Sequence, residues 1–260
     1  MTKPTITYER EGPIALIGLD RAAKRNAMND AMVDALSAAV ERARSEAKVG
    51  VIFGHGKNFS AGLDLAEHVE RTPIQNIHHS RNWHAIFDRI ERGPIPFLAA
   101  LHGAVIGGGL ELAAATQIRI ADKTAFFALP EGQRGIFVGG GGSVRVARLI
   151  SAARMADMML TGRVLSAGEA EVVNLVQYVT KAGDALARAK ALAARIAENA
   201  PLANFAITNA LPRIQDLSHD DGLFFESLMA AFTQTSPEVR ARLSDFLEKR
   251  AARLAVPRRR

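Results

Sequence analysis

Two glutamates stand beside glycine-rich backbone, and this arrangement of residue types is suited to proton transfer. Glu111 comes two residues after the glycine triplet 107–109. Glu131 stands eight residues before the glycine run 139–142. Glycine lets backbone approach a ligand closely, and amides at a helix start direct their N–H groups toward negative charge. Carboxyl groups beside such amides can move protons on a carbonyl compound whose oxygen becomes negative in the transition state.

A second turn, within residues 54–65, leaves the backbone of Ala61, Gly62 and Leu63 open to a ligand. Taken alone, this turn or the glycine triplet could be a tight connection between a strand and a helix. Neither matches a P-loop, because no Gly-Lys-Ser/Thr follows, and neither has the spacing of a dinucleotide fingerprint. If each turn offers one N–H to the same oxygen, they form an oxyanion hole, where a donor contributes about 3–4 kcal/mol. A thioester carbonyl that becomes an enolate would suit such a hole.

Strands that alternate with helices must position these turns. Apolar and β-branched runs predict strands at 6–9, 14–19, 49–54, 97–105, 118–120 and 126–129. Asn29 or Asp30 is predicted to cap the first helix, and Ser143 a helix over residues 144–149. This alternation indicates an α/β fold with at least partly parallel strands.

From residue 185 onward the pattern is helical, and the last helix is predicted to begin near Pro237. One face of that helix carries an apolar stripe that must pack on the core or on another subunit. The residues on this face are Val239, Leu243, Phe246, Leu247, Arg250 and Leu254. We therefore expect an α/β core over residues 1–197 and a helical region over residues 198–260.

Composition and charge narrow the class of protein. The chain has 260 residues, of which 48% are hydrophobic, as in globular proteins with a core. It has no cysteine, which excludes disulfides, a thiolate nucleophile and cysteine metal sites. No apolar run reaches the ~18 residues of a membrane span, and the first residues lack a signal-peptide layout. We expect a cytoplasmic protein with no membrane partner.

The net charge of +6 raises the question of nucleic acid. Much of the excess lies in Arg258, Arg259 and Arg260, and elsewhere Arg and Glu alternate on helix faces. Such alternation is typical of solvated surface, so an RNA-binding patch is the less favoured interpretation.

Five blocks of sequence resemble the crotonase superfamily, the enoyl-CoA hydratase/isomerase family, over about residues 5–254. They are RAAKRNAM at 21–28, FSAGLDL at 59–65, HGAVIGGGLE at 102–111, Pro130-Glu131 with the glycines at 135 and 139–142, and FLEKR at 246–250. The resemblance implies a crotonase fold, a spiral of β-β-α units followed by helices used in oligomerisation. It also implies a homo-oligomer, a trimer or a dimer of trimers.

The resemblance assigns roles to the residues at the two turns. The backbone N–H groups of Leu63 and Gly108 would polarise the thioester oxygen. Glu111 and Glu131 would hold the catalytic water and move its protons, and the amide of Gly139 would support the water site. Family members with other chemistry often keep one glutamate, so both together favour hydration of a 2-enoyl-CoA or its reverse. No metal or redox cofactor is implied, since CoA is part of the substrate.

Further residues match family positions that bind CoA or the substrate. They are Lys24, Arg25, Ala27, Ala61, Gly62, Asp64, Leu65 and Gly107, with Phe246 and Lys249 on the last helix. The last two reach the CoA across a subunit boundary in some members.

Two segments depart from the family pattern or vary within it. Val138 stands where proline is frequent, and Arg134 lies in an unusually polar stretch, where it could pair with Glu131 or contact an acidic acyl group. Residues 67–92, which shape the acyl pocket in the family, contain Trp83 and Phe87 at a four-residue step. These rings could pack in the core or form a wall for a bulky or aromatic acyl chain. The same segment holds His68, His78, His79 and His84, which lack a recognised zinc spacing, so we expect no metal site.

Alternatives to hydration stay open. A double-bond isomerase or an aryl-acyl-CoA hydratase–lyase would use the same enolate hole, and fold alone does not separate them. An RNA-binding or scaffold protein on this fold is the alternative from another class.

Overall fold

A six-stranded sheet is the framework of the first of two units in the computed structural model, which describes residues 4–67 and 70–248. The first unit ends at Glu198, and the second begins at Asn199. The strands of the described residues are β1 (Ile6–Glu11), β2 (Ile14–Leu19), β3 (Val49–Gly54), β4 (Phe97–Leu101), β5 (Ala104–Ile106), β6 (Ile118–Asp122), β7 (Phe126–Ala128), β8 (Leu165–Ser166) and β9 (Tyr178–Thr180). The large sheet has the order β1-β2-β3-β4-β6-β9, and β5, β7 and β8 form a second sheet in that order.

The large sheet is mostly parallel. β1 and β2 form an antiparallel hairpin with Ile6 opposite Leu19 and Glu11 opposite Ile14, and every other neighbouring pair is parallel. All six residues of β2 are buried, as expected of a strand that is covered on both faces. Parallel neighbours require crossover connections, which explains the helices between the strands.

Seven helices of the first unit are described, and side-chain caps mark the start of some of them. In the first unit they are α1 (Asp30–Glu46), α2 (Pro73–Glu91), α3 (Gly108–Ala114), α4 (Gly142–Ile150), α5 (Ala152–Thr161), α6 (Ala167–Val172) and α7 (Ala185–Ala197). The Asn29 side chain accepts from the Met32 N–H at 3.0 Å, which confirms Asn29 as the predicted cap of α1. Thr72 and Gln75 form a capping box at the start of α2.

The strand predicted over residues 97–105 is wrong as a single element. β4 ends at Leu101 and β5 begins at Ala104, and the two strands belong to different sheets. Gly103 between them has φ +54°, and a Cβ there would lie 2.1 Å from the Lys57 oxygen. An apolar run predicts burial on either sheet, so it does not reveal where the chain leaves one for the other.

The predicted cap of α4 is also wrong. The helix begins at Gly142 after the N-cap residue Gly141, which makes no side-chain capping bond. Ser143 therefore lies inside the first turn, where its hydroxyl is not the cap. The amides at this end donate instead to a carboxyl group from elsewhere in the chain, as described below.

The second unit is helical, and its helices are α8 (Pro201–Ile214), α9 (His219–Thr233) and α10 (Pro237–Leu247). The predicted start of the last helix near Pro237 is confirmed, with the Ser236 hydroxyl accepting from the Val239 N–H. Within this chain, Leu243, Phe246 and Leu247 on the apolar stripe are exposed. Lys249, Arg250 and Leu254 lie outside the described residues, as do His68 and the three terminal arginines. Across the helices that are described, none has the length and apolar character needed to cross a membrane.

Candidate active site

Two turns from separate parts of the chain meet in the first unit. A parallel bridge joins Ser60 to Val105, which draws the two segments together. A Cβ placed on Gly62 would lie 2.6 Å from the Ile106 oxygen and 3.1 Å from the Gly108 nitrogen. Because Gly62 also has φ +87°, only glycine allows this close approach without strain. The two predicted oxyanion turns are therefore in direct contact.

The amides predicted to form the oxyanion hole are unengaged. Leu63 lies outside the helices and strands, and its N–H donates to no residue in the described part of the chain. Gly108 is the first residue of α3, where an N–H has no partner within the helix. Its N–H likewise makes no hydrogen bond to any residue in 4–67 or 70–248. Two neighbouring turns thus each present a free donor.

Glu111, in the first turn of α3, is held by backbone donors. It is 3% exposed, and its Oε1 accepts from the amides of Gly140 and Gly142 at 2.8 Å each. Burial raises the pKa of Glu111 above its ordinary value, while the two amide bonds and the charge of Arg145 act in the opposite direction. Both donors are glycines, and the absence of side chains lets their amides approach the same carboxyl oxygen.

Glu131, just after β7, has a different environment. It is buried, and its Oε2 has no hydrogen-bond partner among the residues described. Burial, together with the negative charge of Glu111, raises the pKa of Glu131 to about 7, although a hydrogen bond from its own backbone and the charge of Arg134 lower it in part. A Cβ on Gly107 would lie 2.6 Å from the Glu131 Oε1, so this carboxyl packs against the second oxyanion turn.

A cavity of about 380 Å³ joins these groups. Its lining includes the predicted residues of the two turns, which are Ala61, Leu63, Leu65, Gly107 and Gly108. It also includes the predicted residues Glu111, Glu131, Trp83, Arg134 and Gly139. The structure therefore places both glutamates and both oxyanion turns around one space.

Other predicted residues lie behind this surface. Phe87 is fully buried and packs edge-on against Trp83, with ring centroids 5.7 Å apart, so it supports the wall rather than lining it. The prediction of a direct acyl contact is corrected for Phe87 on this ground. Trp83 itself packs on the oxyanion turn, since its Cζ3 would lie 2.8 Å from a Cβ on Gly108.

The first of the five sequence blocks braces the Leu63 turn from outside the cavity. The Arg25 carbonyl accepts from the Ala61 N–H at 2.9 Å, and the Met28 N–H donates to the Gly62 carbonyl at 2.7 Å. Asp64 forms an ion pair with Arg21 at 3.1 Å. Burial raises the pKa of Asp64, but the hydrogen bond from Arg21 and nearby cations outweigh it and leave the pKa below its ordinary value. Lys24, Arg25 and Ala27 do not line the cavity; Lys24 and Arg25 are exposed beside this brace.

Sequence reasoning missed part of the cavity wall. Asn76, His79 and Ser80 line it from α2, and Ile136 and Phe137 line it after Arg134. The α2 residues precede Trp83 by three to seven positions, so helical spacing from the tryptophan could have identified them. Sequence reasoning also missed Arg145, whose charge opposes the burial-driven rise in the pKa of Glu111. Only its position three residues after the glycine run could have drawn attention to it.

Two of the three histidines of α2, His79 and His84, contact polar side chains. His79 pairs with Asp30 at 2.8 Å, and His84 contacts the Ser80 hydroxyl at 3.3 Å. Within residues 4–67 and 70–248, no group of three or more His, Asp or Glu side chains is arranged to hold a metal ion.

Comparison with known proteins gives matches over nearly the whole chain. Residues 9–255 match the family model described as enoyl-CoA hydratase/isomerase. "Probable enoyl-CoA hydratase echA8" of Mycobacterium bovis is 32% identical, over 96% of this chain and 98% of the relative. The 2,3-dehydroadipyl-CoA hydratase of Escherichia coli is 31% identical, over 94% and 96% respectively.

Solved structures agree with the sequence matches. A crystal structure from Rhodopseudomonas palustris, whose name places it among the enoyl-CoA hydratases, is 50% identical with a TM-score of 0.92, over 96% of this chain and 97% of that one. A structure of an enoyl-CoA hydratase from Thermoplasma volcanium is 32% identical with a TM-score of 0.88, over 94% and 97%. The crotonase-type α/β fold predicted from the sequence blocks is confirmed by these similarities.

Proposed function

We propose that this chain, which belongs to the enoyl-CoA hydratase/isomerase family, adds water to a 2-enoyl-CoA to form a 3-hydroxyacyl-CoA and catalyses the reverse reaction. The observation that carries the proposal is the pair of glutamates in one cavity with two unengaged amides. A hydro-lyase needs one carboxylate to take a proton from water and one carboxylic acid to deliver a proton to carbon. The environments of Glu111 and Glu131 support that division of labour.

The reaction begins when the thioester oxygen accepts from the amides of Leu63 and Gly108. Charge that develops on this oxygen during attack at C3 is stabilised by donors already in position, each contributing about 3–4 kcal/mol. The Glu111 carboxylate takes a proton from water as the water oxygen bonds to C3. The resulting enolate takes a proton at C2 from the Glu131 carboxylic acid. One proton has moved from Glu131 to substrate and one from water to Glu111, so the pair keeps a single proton.

Two carboxyl groups favour hydration over the alternatives. A double-bond isomerase removes a proton and returns it at another carbon, which one carboxyl group can do. A second buried carboxyl beside it is costly unless the reaction uses it, because like charges raise each other's proton affinity. Isomerisation and an aryl-acyl-CoA hydratase–lyase step remain the alternative functions on the same hole.

An activity panel tests the proposal. Purified protein is incubated with crotonyl-CoA and with branched, aryl and carboxylated 2-enoyl-CoA thioesters, and loss of the conjugated-thioester absorbance is followed. We expect saturable hydration of at least one member, with the 3-hydroxyacyl product identified by mass spectrometry. Turnover of 3-enoyl-CoA without uptake of water would favour the isomerase, and release of an aldehyde would favour the lyase.

We further propose that the acyl group of the substrate ends in a carboxylate. Arg134 lines the cavity, and its guanidinium makes no ion pair or hydrogen bond with any residue that the structure describes. A relative is named as a 2,3-dehydroadipyl-CoA hydratase, whose acyl group carries such a carboxylate. A bound carboxylate would give Arg134 a bidentate partner.

Substitution of Arg134 tests this substrate class. Arg134→Gln should raise the KM for a carboxylated enoyl-CoA about tenfold or more and change the KM for a neutral analogue of equal length much less. Arg154→Gln, on the exposed surface of α5, is the matched control. Equal effects of Arg134→Gln on the two substrates would contradict the proposed contact.

We also propose that CoA is bound as part of the substrate without a further cofactor, and that the protein assembles as a trimer or a dimer of trimers. The exposed apolar stripe on α10, with Phe246, supports assembly, and Lys249 remains a predicted CoA contact. Light scattering on the purified protein tests the trimer. A cytoplasmic location and the lack of a nucleic-acid partner stay predictions, the latter checked by RNA binding across a salt series.

A further inference from the structure

The glycine run holds Glu111 only if its own backbone is held. Gly140 and Gly142 donate their amides to Glu111 Oε1, but neither residue has a side chain that could anchor it. The contact at Gly139 is a hydrogen bond from the Ser80 hydroxyl to its carbonyl at 2.5 Å. Side chains that contact the glycine run 139–142, called the glycine loop below, closer to these two amides are therefore the candidates for holding it.

Arg145 supplies that point from α4. Its Nη1 donates to the Gly140 carbonyl at 3.1 Å, and thereby holds the same residue whose amide faces Glu111. Its Nε donates to Glu91 Oε2 at 2.8 Å, and its Nη2 pairs with Asp88 Oδ1. The planar guanidinium therefore ties the loop to α2 through three directed bonds, which an ammonium group does not reproduce.

The packing around Arg145 is specific. Its side chain is 7% exposed, which is rare for arginine and stable only where partners replace the lost water. A Cβ on Gly141 would lie 2.3 Å from Arg145 Nη1, so the loop leaves space for this guanidinium and no more. Gly141 therefore packs against Arg145, while Gly140 and Gly142 on either side of it donate to Glu111.

We propose that Arg145 is a positioning residue of the reaction, which fixes the glycine loop so that its amides keep the Glu111 carboxylate charged and directed at the water. This inference rests on the hydratase function proposed above. Arg145 does not line the cavity and acts on substrate only through the loop and Glu111.

The charged groups around Glu111 give the proposal a signature in pH. Arg145 on α4 is the cation that favours its charged form, and Glu131 after β7 is the facing acid. On α2, Asp88 and Glu91 balance Arg145, and burial and the Arg145 charge lower the pKa of His84. Removal of Arg145 therefore takes away both the charge and the loop geometry that oppose protonation of Glu111.

The test compares Arg145→Gln, Arg145→Lys and the matched control Arg148→Gln, which removes an exposed arginine from the same helix. For Arg145→Gln we expect kcat to fall about 10–100-fold with KM for the enoyl-CoA nearly unchanged. The acid limb of the pH–rate profile should move to higher pH. Arg145→Lys should also lower kcat, because an ammonium group lacks the several directed donors of the guanidinium. Because it keeps the positive charge, its acid limb should lie closer to that of the wild type. Arg148→Gln should match the wild type in kcat and in both limbs.

A role in stability alone would lower the active fraction without moving the limb. Titration of active sites with a tight-binding CoA thioester corrects kcat for that fraction. If the corrected kcat and the acid limb of Arg145→Gln equal those of the wild type, the proposal is overturned. Glu91→Gln weakens the anchor while the arginine itself is kept, and a smaller loss of kcat in the same direction is expected.

A measurement without substrate separates this inference from the hydratase assignment. Carbon NMR of labelled glutamate carboxyls follows protonation of Glu111 in wild type and Arg145→Gln. A higher protonation midpoint in the variant supports the positioning role even if no enoyl-CoA is turned over. An unchanged midpoint overturns the role even if the wild type is an active hydratase.

Discussion

Glu111 accepts two backbone N–H bonds at one oxygen in the first turn of a helix, whereas Glu131 follows a short strand and has an oxygen without a partner among the residues described. Both side chains are buried in the wall of one cavity. Burial raises the pKa of both carboxyl groups, but at Glu111 the hydrogen bonds from two amides and the charge of Arg145 oppose the rise, whereas Oε2 of Glu131 has no such partner. The same residue type is thus fitted to two opposite proton-transfer tasks by backbone geometry.

The two glutamates also differ in how many other residues their surroundings depend on. The Glu111 environment depends on glycines at 140 and 142 and on Arg145 beyond them, so several positions must be kept together. The Glu131 environment depends mainly on burial, and its charged neighbours are Glu111 and Arg134. Substitutions near Arg134 can therefore change the environment of Glu131 without altering the hydrogen bonds that hold Glu111.

Loss of the Glu111 carboxylate is expected to have the largest effect. Glu111→Gln keeps the size of the side chain but cannot take a proton from water, so kcat should fall by about 10²–10⁴. Binding of a CoA thioester, measured by calorimetry, should be retained because the oxyanion amides are untouched. A variant with near-normal turnover of the true substrate would show that the role assigned to Glu111 is wrong.

Separation of the two oxyanion turns is expected to have the next largest effect on kcat. Gly62→Ala places a methyl group 2.6 Å from the Ile106 oxygen and 3.1 Å from the Gly108 nitrogen. Displacement of one donor should lower kcat by about 10²–10³. Both proton transfers depend on this oxygen, so hydration and exchange of the C2 proton should fall together. A loss of hydration alone would mean that the turns do not set the position of both reacting carbons.

The pH dependence of kcat/KM sharpens the contrast between the two acids. The pair must carry one proton, so activity is lost when Glu131 ionises; kcat/KM should fall about tenfold per pH unit above its pKa of about 7. Forward and reverse reactions should share this limb, because both need one proton on the pair: it starts on Glu131 in hydration and on Glu111 in dehydration. Glu131→Gln should lower activity by about 10² or more and abolish the limb near pH 7. A limb that persists in Glu131→Gln would assign it to another group.

Much of this arrangement could be predicted from local sequence. Alternating apolar residues located the β1–β2 hairpin, and the polar side chain of Asn29 located the start of α1. Glycines beside Glu111 and Glu131 mark these segments as candidates, whereas the roles of the Leu63 and Gly108 amides and of the two glutamates are implied by the family resemblance. The break at Gly103 was missed because a run of buried residues has no mark that distinguishes one sheet from another.

Contacts between segments distant in sequence could not be predicted from local patterns. The pairing of Arg145 with Asp88 and Glu91 joins residues more than fifty positions apart, and none of the three is unusual alone. The placement of Phe87 behind Trp83 depends on how α2 rotates against the sheet, which the four-residue step does not determine. Ser143 was predicted to cap α4 by type, but backbone glycines and a remote carboxylate occupy that helix end instead.

The smallest effect is on stability, and it follows from the raised proton affinity of Glu131. The pKa of Glu131 is about 7 in the folded protein against an ordinary 4.5, so the folded state binds this proton more tightly than the unfolded state. Stability from this group is therefore fully present below pH 4.5, is lost as pH rises from 4.5 to 7, and stays lost above 7.

Glu131→Gln removes that dependence, because glutamine stays neutral at every pH. After allowance for solvent screening, we expect the variant to be more stable than wild type by about 2 kcal/mol at pH 8 and nearly equal at pH 4. Urea unfolding at matched protein concentration measures both values, with Glu171→Gln, an exposed glutamate on α6, as control. A gain of the same size at both pH values would mean that the glutamine improves packing and that the wild-type carboxyl is not held as an acid. A gain confined to pH 8 would show that the unpartnered oxygen of Glu131 is kept at a cost to the fold, as expected where proton delivery requires it.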